Sequence, residues 1–179
     1  MKKIITDITQ LRKKSLPTSA EECREKKIFE KLEASLETAG ESAAGLAAIQ
    51  IGIPLQAVVM GPRGKTIRMI NPTISRHGPE RAFPSEGCLS LPDVIVTTRR
   101  YQWVNVRYLN EKGKAQEIGL KDFGAAVAQH EIDHVEGILI TDREYVAMKK
   151  EKIGRNESCP HCLKEGIKIK YKKCKKHFH

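Results

Sequence analysis

His130 and His134 stand four residues apart in the run Gln129-His130-Glu131-Ile132-Asp133-His134. On a helix that spacing puts both imidazoles on nearly one face, where they can reach a single metal ion. Glu131 lies roughly a quarter-turn further round, beside the metal without being a ligand. Two histidines need a third partner. Glu86-Gly87-Cys88-Leu89-Ser90 offers a cysteine whose neighbouring glycine permits tight approach. A Cys/His/His set leaves one position open for water, the arrangement of a catalytic rather than a structural site. Taken singly, each signal has a plainer reading, as satisfied histidines on an amphipathic helix or a small buried thiol. Together they point to a catalytic metal site.

Elements must hold these groups in place. Phe123 to Val135 has helical period, with Phe123, Val127, His130 and His134 on one face. Ser19 and Glu22 have the form of a capping box, and Ile28, Leu32 and Leu36 continue at helical spacing, which predicts one amphipathic helix ending near Gly40. Ala43 to Gln50 is a run of small residues that lets backbone come close to something else. Ala57–Met60 and Ile67–Ile70 flank Gly61-Pro62-Arg63-Gly64 and read as a hairpin. Val94–Thr97 reads as a further strand, and Val104–Leu109 turns through Asn110-Glu111-Lys112-Gly113 to a partner at Ala115–Leu120. The expected fold class is α+β, with antiparallel sheets around a central helix that carries the His-Glu-x-x-His motif.

Gly45-Leu46-Ala47-Ala48-Ile49-Gln50, Glu86-Gly87-Cys88-Leu89-Ser90 and Gln129-His130-Glu131-Ile132-Asp133-His134 resemble the three signature motifs of peptide deformylases, in that family's order and at its usual separations. The similarity runs from about Leu11 through Asn71-Pro72 and Val104–Arg107 to Leu139. It implies removal of the formyl group from N-formylmethionyl peptides. It also implies that Cys88, His130 and His134 hold Fe(II), with Ni, Co or Zn able to substitute. Glu131 would shuttle the proton, while the Gln50 amide and the Leu89 backbone N–H would stabilise the oxyanion. By the same resemblance the methionine pocket falls on Ala44, Pro84, Glu86, Phe123, Ala126, Val127 and the His130 ring, and the Gly45 backbone pairs with the peptide like an added strand. Ala43 stands where many members have glycine, and Ile49 where Pro or Thr is frequent. After Asp142-Arg143 the long C-terminal helix common in bacterial members gives way to a different sequence.

That different sequence carries most of the charge. The chain has 179 residues and a net charge of +10, with 40% hydrophobic and 30% charged residues. Lys149 to His179 holds eleven Lys and Arg against three Glu, while the preceding 148 residues hold 21 basic and 19 acidic side chains. A polyanionic partner is therefore expected for the tail alone. Three of five cysteines, Cys159, Cys162 and Cys174, also lie there. With His177 they make a closed four-ligand set suited to structural zinc, and His161 or His179 could take the place of His177. Gly154-Arg155-Asn156 with Cys159-x-x-Cys162 and Lys172-Lys173-Cys174 resembles the zinc motif at the C-terminus of the preprotein-translocase ATPase. The expected organisation is a catalytic domain over 1–152 and a small zinc-binding module over 153–179, with the tail contacting the ribosome.

No apolar run nears the roughly 20 residues of a membrane span. Met1–Gln10 has two lysines and no apolar core, so no secretory signal is expected; the expectation is a cytoplasmic monomer. Two other readings compete. A peptidase using the same motif on internal bonds would normally take a third ligand downstream, and Cys88 lies upstream. A catalytically idle ribosome- or nucleic-acid-binding protein would have no chemical need for Gln50, Cys88 and Glu131 together.

Overall fold

The alternation Leu46/Ala47, Val58/Val59 and Met69/Ile70 decides the architecture, because successive strand residues face opposite sides of a sheet. Leu46, Val59 and Ile70 join one core with Cys23, Ile28, Phe29, Leu32 and Leu36. Ala47, Val58 and Met69 join a second, with Val104, Val106, Ala125, Ala128 and Val135. The sheet is thus covered on both faces. That is why Ala57–Met60 reads as an unbroken apolar run and is buried throughout.

The computed structural model describes residues 3–40, 43–61 and 66–145. Three helices come first: α1 (Ile8–Leu11), α2 (Ala20–Glu25) and α3 (Ile28–Thr38). A short strand β1 (Gly45–Ala47) runs into a 3-10 turn at Ala48–Ile51. There follow β2 (Ala57–Met60), β3 (Ile67–His77), β4 (Glu80–Cys88), β5 (Leu91–Tyr101), β6 (Trp103–Leu109) and β7 (Ala115–Lys121). The long helix α4 (Asp122–Glu136) and a 3-10 turn at Ile140–Arg143 complete the described order. Five strands form one antiparallel sheet in the order β1-β2-β3-β6-β7, and β4 and β5 form a separate antiparallel pair. The expected α+β class and antiparallel pairing hold.

The strands expected at Ile67–Ile70 and Val94–Thr97 are longer than read, α1 and β1 were not expected, and two further differences have clear local causes. The single helix after Ser19 is two, because Lys27 adopts the left-handed conformation at φ 49° and breaks the hydrogen-bond ladder. Only half of the capping box forms. Ser19 Oγ accepts from the Glu22 N–H at 3.1 Å, whereas the Glu22 carboxylate turns to Thr18 and Lys26. The second difference is β4, which the sequence does not announce. Its pairing with β5 skips a residue between Phe83 and Glu86, and Ser85 in that bulge has φ 57°. The bulge breaks the alternation by which a strand is recognised, and such bulges re-aim side chains near active sites.

α4 ends at Gly137, φ 76°, where a side chain would be strained twice over: a Cβ would also lie 2.4 Å from the Arg12 carbonyl oxygen. The bare glycine lets the Arg12–Ser15 segment cross the helix end, where the Ser15 N–H donates to Val135 O at 2.8 Å. No helix among the described residues is long and apolar enough to cross a membrane. The expected boundary near residue 152 and the four tail ligands Cys159, Cys162, Cys174 and His177 lie outside the described residues.

Candidate active site

Small residues let α4 lie close to the sheet: Ala125 and Ala128 are buried in the core they share with β2, β3 and β6. Gln129 fixes the rotation of the helix. Its side chain accepts from the Tyr101 N–H at 2.8 Å and donates to Tyr101 O at 3.0 Å, so it pairs with the end of β5 as a strand residue would. The next turn then points His130, Glu131 and His134 toward Cys88 at the end of β4. Ligand atoms of Cys88, His130 and His134 all lie within 4.8 Å of one another, and Cys88 Sγ is 3.2 Å from His134 Nε2.

The donor set suits a divalent cation. Glu86 Oε1 accepts from His130 Nδ1 at 2.7 Å, which fixes the tautomer and leaves Nε2 as the electron-pair donor. Burial alone would disfavour charge on His130, yet hydrogen bonds to Cys88 and Glu86, with the charge of Glu131, raise its pKa to about 10. At neutral pH that charge is a proton on Nε2, which a divalent ion would displace to reach the same lone pair. His134 is pushed the other way, to about 3, by burial and by the cations His130 and Arg100, so it stays neutral as a metal ligand must.

Glu131 is buried, and burial raises its pKa to about 7 against the pull of His130. Its Oε2 has no hydrogen-bond partner among the described residues. Gly45 makes room for it: a Cβ there would lie 2.6 Å from Glu131 Oε1. Gln50 is held rigid because its Oε1 accepts from the Ala47 N–H at 2.8 Å. Its Nε2 then points at the site, 3.3 Å from Ser90 Oγ and 3.8 Å from Cys88 Sγ. A carboxyl poised near neutrality and a fixed amide donor, beside a three-ligand metal position, are parts suited to hydrolysis.

Gln50, Cys88, His130 and Glu131 line one cleft of about 480 Å³, together with Ala44, Gly45, Leu89, Phe123, Ala126 and Val127. Of the residues assigned to the methionine pocket, Pro84 is the exception. It is exposed, and its neighbours Phe83 and Ser85 line the cleft instead. Glu86 lines the cleft too, but its carboxylate is committed: Arg100 forks onto it at 2.5 and 2.9 Å and Thr98 Oγ1 donates at 2.5 Å. Burial would raise its pKa, but the His130 and Arg100 bonds hold it at about 2. Arg100, Thr98 and Asp133 are the residues that the sequence reading missed. Arg100 looks like any strand arginine until the fold brings Asp133, 33 residues on, to 2.5 Å from it.

Within an α+β scaffold, the buried thiol, paired imidazoles and neighbouring carboxyl define a metallohydrolase. The family model of polypeptide deformylase matches residues 1–152, and the chain belongs to that family. A peptide deformylase of Thermotoga petrophila is 40% identical over 134 residues, covering 74% of this chain and 80% of its own. The crystal structure of peptide deformylase from Thermotoga maritima superposes with a TM-score of 0.74 at 34% identity, over 82% of this chain and 99% of that one. A Met-Ala-Ser-bound class I type b peptide deformylase from Acinetobacter baumannii gives 0.72 at 26% identity, over 80% and 98%. The family assignment sets aside the internal peptidase and the idle binding protein.

Proposed function

We propose that this deformylase removes the formyl group from N-terminal methionine through a mononuclear centre held by Cys88, His130 and His134. The observation that carries the reading is the convergence of those three ligand atoms within 4.8 Å, beside a buried Glu131 with one unpartnered oxygen. Fe(II) is the proposed ion, with Ni, Co or Zn able to replace it, since one thiolate and two imidazoles suit all four. A bound divalent ion supplies Lewis acidity and lowers the pKa of water toward neutrality.

The chain's own residues do the rest. Glu131 Oε2 takes the proton of the attacking water and delivers it to the leaving amine, a task its pKa near 7 fits in both directions. Gln50 Nε2 and the Leu89 backbone N–H donate to the oxygen that gains charge as the formyl carbon becomes tetrahedral. β1 is an edge strand, so Gly45 can pair with an extended peptide. Ala44, Ala126, Val127 and Phe123 offer the apolar wall that a thioether side chain requires, and Glu86 lines the same cleft. The Met-Ala-Ser bound to the Acinetobacter relative is what deformylation of formyl-Met-Ala-Ser leaves.

The test sets formyl-Met-Ala-Ser beside its acetylated and unmodified forms, using metal-replete protein. Only the first should yield a new amine, with release of formate. Glu131→Ala should keep one metal per site and lose turnover by on the order of 10²–10⁴-fold. Near-normal turnover by that variant would remove Glu131 from the mechanism. From the eleven basic residues of 149–179 we also infer a zinc-stapled tail, with Cys159, Cys162, Cys174 and His177 as ligands, that docks on ribosomal phosphate.

A further inference from the structure

We infer that Arg100 is a positioning residue that sets the distance between the two elements carrying the metal ligands. The inference rests on the reading that Cys88, His130 and His134 hold one ion. Cys88 ends β4, whereas both histidines ride on α4. Among the described residues no backbone hydrogen bond outside the helices and sheets joins β4 to α4. Side chains must fix the gap between them.

Arg100 spans that gap. It is 3% exposed, and its three nitrogens are all engaged. Nε and Nη2 fork onto the two oxygens of Glu86, at 2.9 and 2.5 Å, and Nη1 reaches Asp133 Oδ2 at 2.5 Å. Glu86 lies two residues before Cys88 on β4, and Asp133 lies immediately before His134 on α4. Each end of the guanidinium therefore grips the element beside a ligand. Two further contacts anchor the ends: Arg143 forks onto Asp133 at 2.8 and 3.1 Å, and Glu86 also orients the His130 ring. Without Arg100, Glu86 would keep His130 and Asp133 would keep Arg143, but the tie between the two carboxylates across the gap would be lost. Lysine cannot replace it, because a single ammonium cannot make a fork on one carboxylate and still reach the other.

The experiment loads the full-length protein with Co(II), whose thiolate charge-transfer and d–d absorption bands report ligand identity and geometry. Arg100→Lys should shift and weaken the d–d bands. It should also speed Co(II) loss to a chelator by on the order of 10–100-fold, the range for a residue that orients metal ligands. Arg68→Lys serves as the control. Arg68 makes a comparable fork onto Glu33, away from the site, so its loss should lower thermal stability and leave bands and release rate unchanged. If Arg100→Lys loses stability as Arg68→Lys does but keeps the parent bands and release rate, Arg100 is a packing residue and the inference fails. Should Arg100→Lys not fold, Asp133→Asn weakens one anchor and keeps the shape; an unchanged release rate there overturns the inference equally. A parent protein that takes up no Co(II) at the site overturns the metal reading itself, before any variant is compared.

Discussion

A methyl group on Gly45 would lie 2.6 Å from Glu131 Oε1 and 2.9 Å from its Cγ, far inside contact distance. Glu131 is buried, and making room for the methyl would take its carboxyl out of its place beside the ligands. Gly45→Ala should therefore leave the metal content unchanged and lower kcat by on the order of 10²-fold, the cost of misplacing a catalytic group by about 1 Å. A variant with parental kcat would show that Glu131 moves freely and that its placement is not critical. The grouping of Cys88, His130 and His134 with Glu131 beside them was legible in residue type and short spacing, whereas the role proposed for Gln50 came only with the resemblance. Arg100 and Thr98 were not legible, because they matter only through Glu86 and Asp133, which the chain brings to them from 12 to 33 residues away. The roles proposed for Ala44 and Val127 came only with the resemblance, since periodicity does not tell a cleft wall from a core face.

At the level of elements, helix period located α4 to within a residue at each end, and alternation located β6 and β7. The break at Lys27 escaped because nothing in Glu25-Lys26-Lys27-Ile28 forbids helix; tertiary packing of Cys23 and Ile28 into one core dictates the bend. A non-glycine residue in the left-handed region costs about 1–2 kcal/mol, against about 0.5–1 kcal/mol for the extra chain entropy of glycine. Lys27→Gly should thus stabilise the protein by roughly 0.5 kcal/mol in urea unfolding, whereas Lys27→Val should destabilise it. α3 is tied to the sheet by Glu33, which accepts from Arg68 at 2.6 and 2.9 Å and from Thr66. The Arg68 bonds hold the Glu33 carboxyl below its ordinary pKa of 4.5. A depressed folded-state pKa contributes stability that is present above the unfolded value and lost as pH falls through the folded one. Thermal unfolding at pH 7 and pH 3 should show the parent losing more stability on acidification than Glu33→Gln. Equal losses would mean that the pair is solvated and contributes nothing.

Across the whole molecule, charge and chemistry are divided: the first 148 residues carry a net of +2 and the last 31 a net of +8. Truncation after Lys150 should leave hydrolysis of formyl-Met-Ala-Ser largely intact, remove one zinc per chain and weaken salt-sensitive co-sedimentation with ribosomes. A full-length protein that binds only the active-site metal would overturn the zinc reading. Equal sedimentation of the truncated form would overturn the docking one. The catalytic part, for its own assembly, depends on contacts distant in sequence. Arg12 forks onto Asp142, 130 residues away, and Cys88 meets His134 across 46. Ribosomes add about 5–20 residues per second, so roughly 2–9 s separate the synthesis of the thiol from that of its second histidine. During that interval Cys88 lacks the full set of partners with which it would share an ion. The three-ligand set exists only once α4 has been made and folded back against β4.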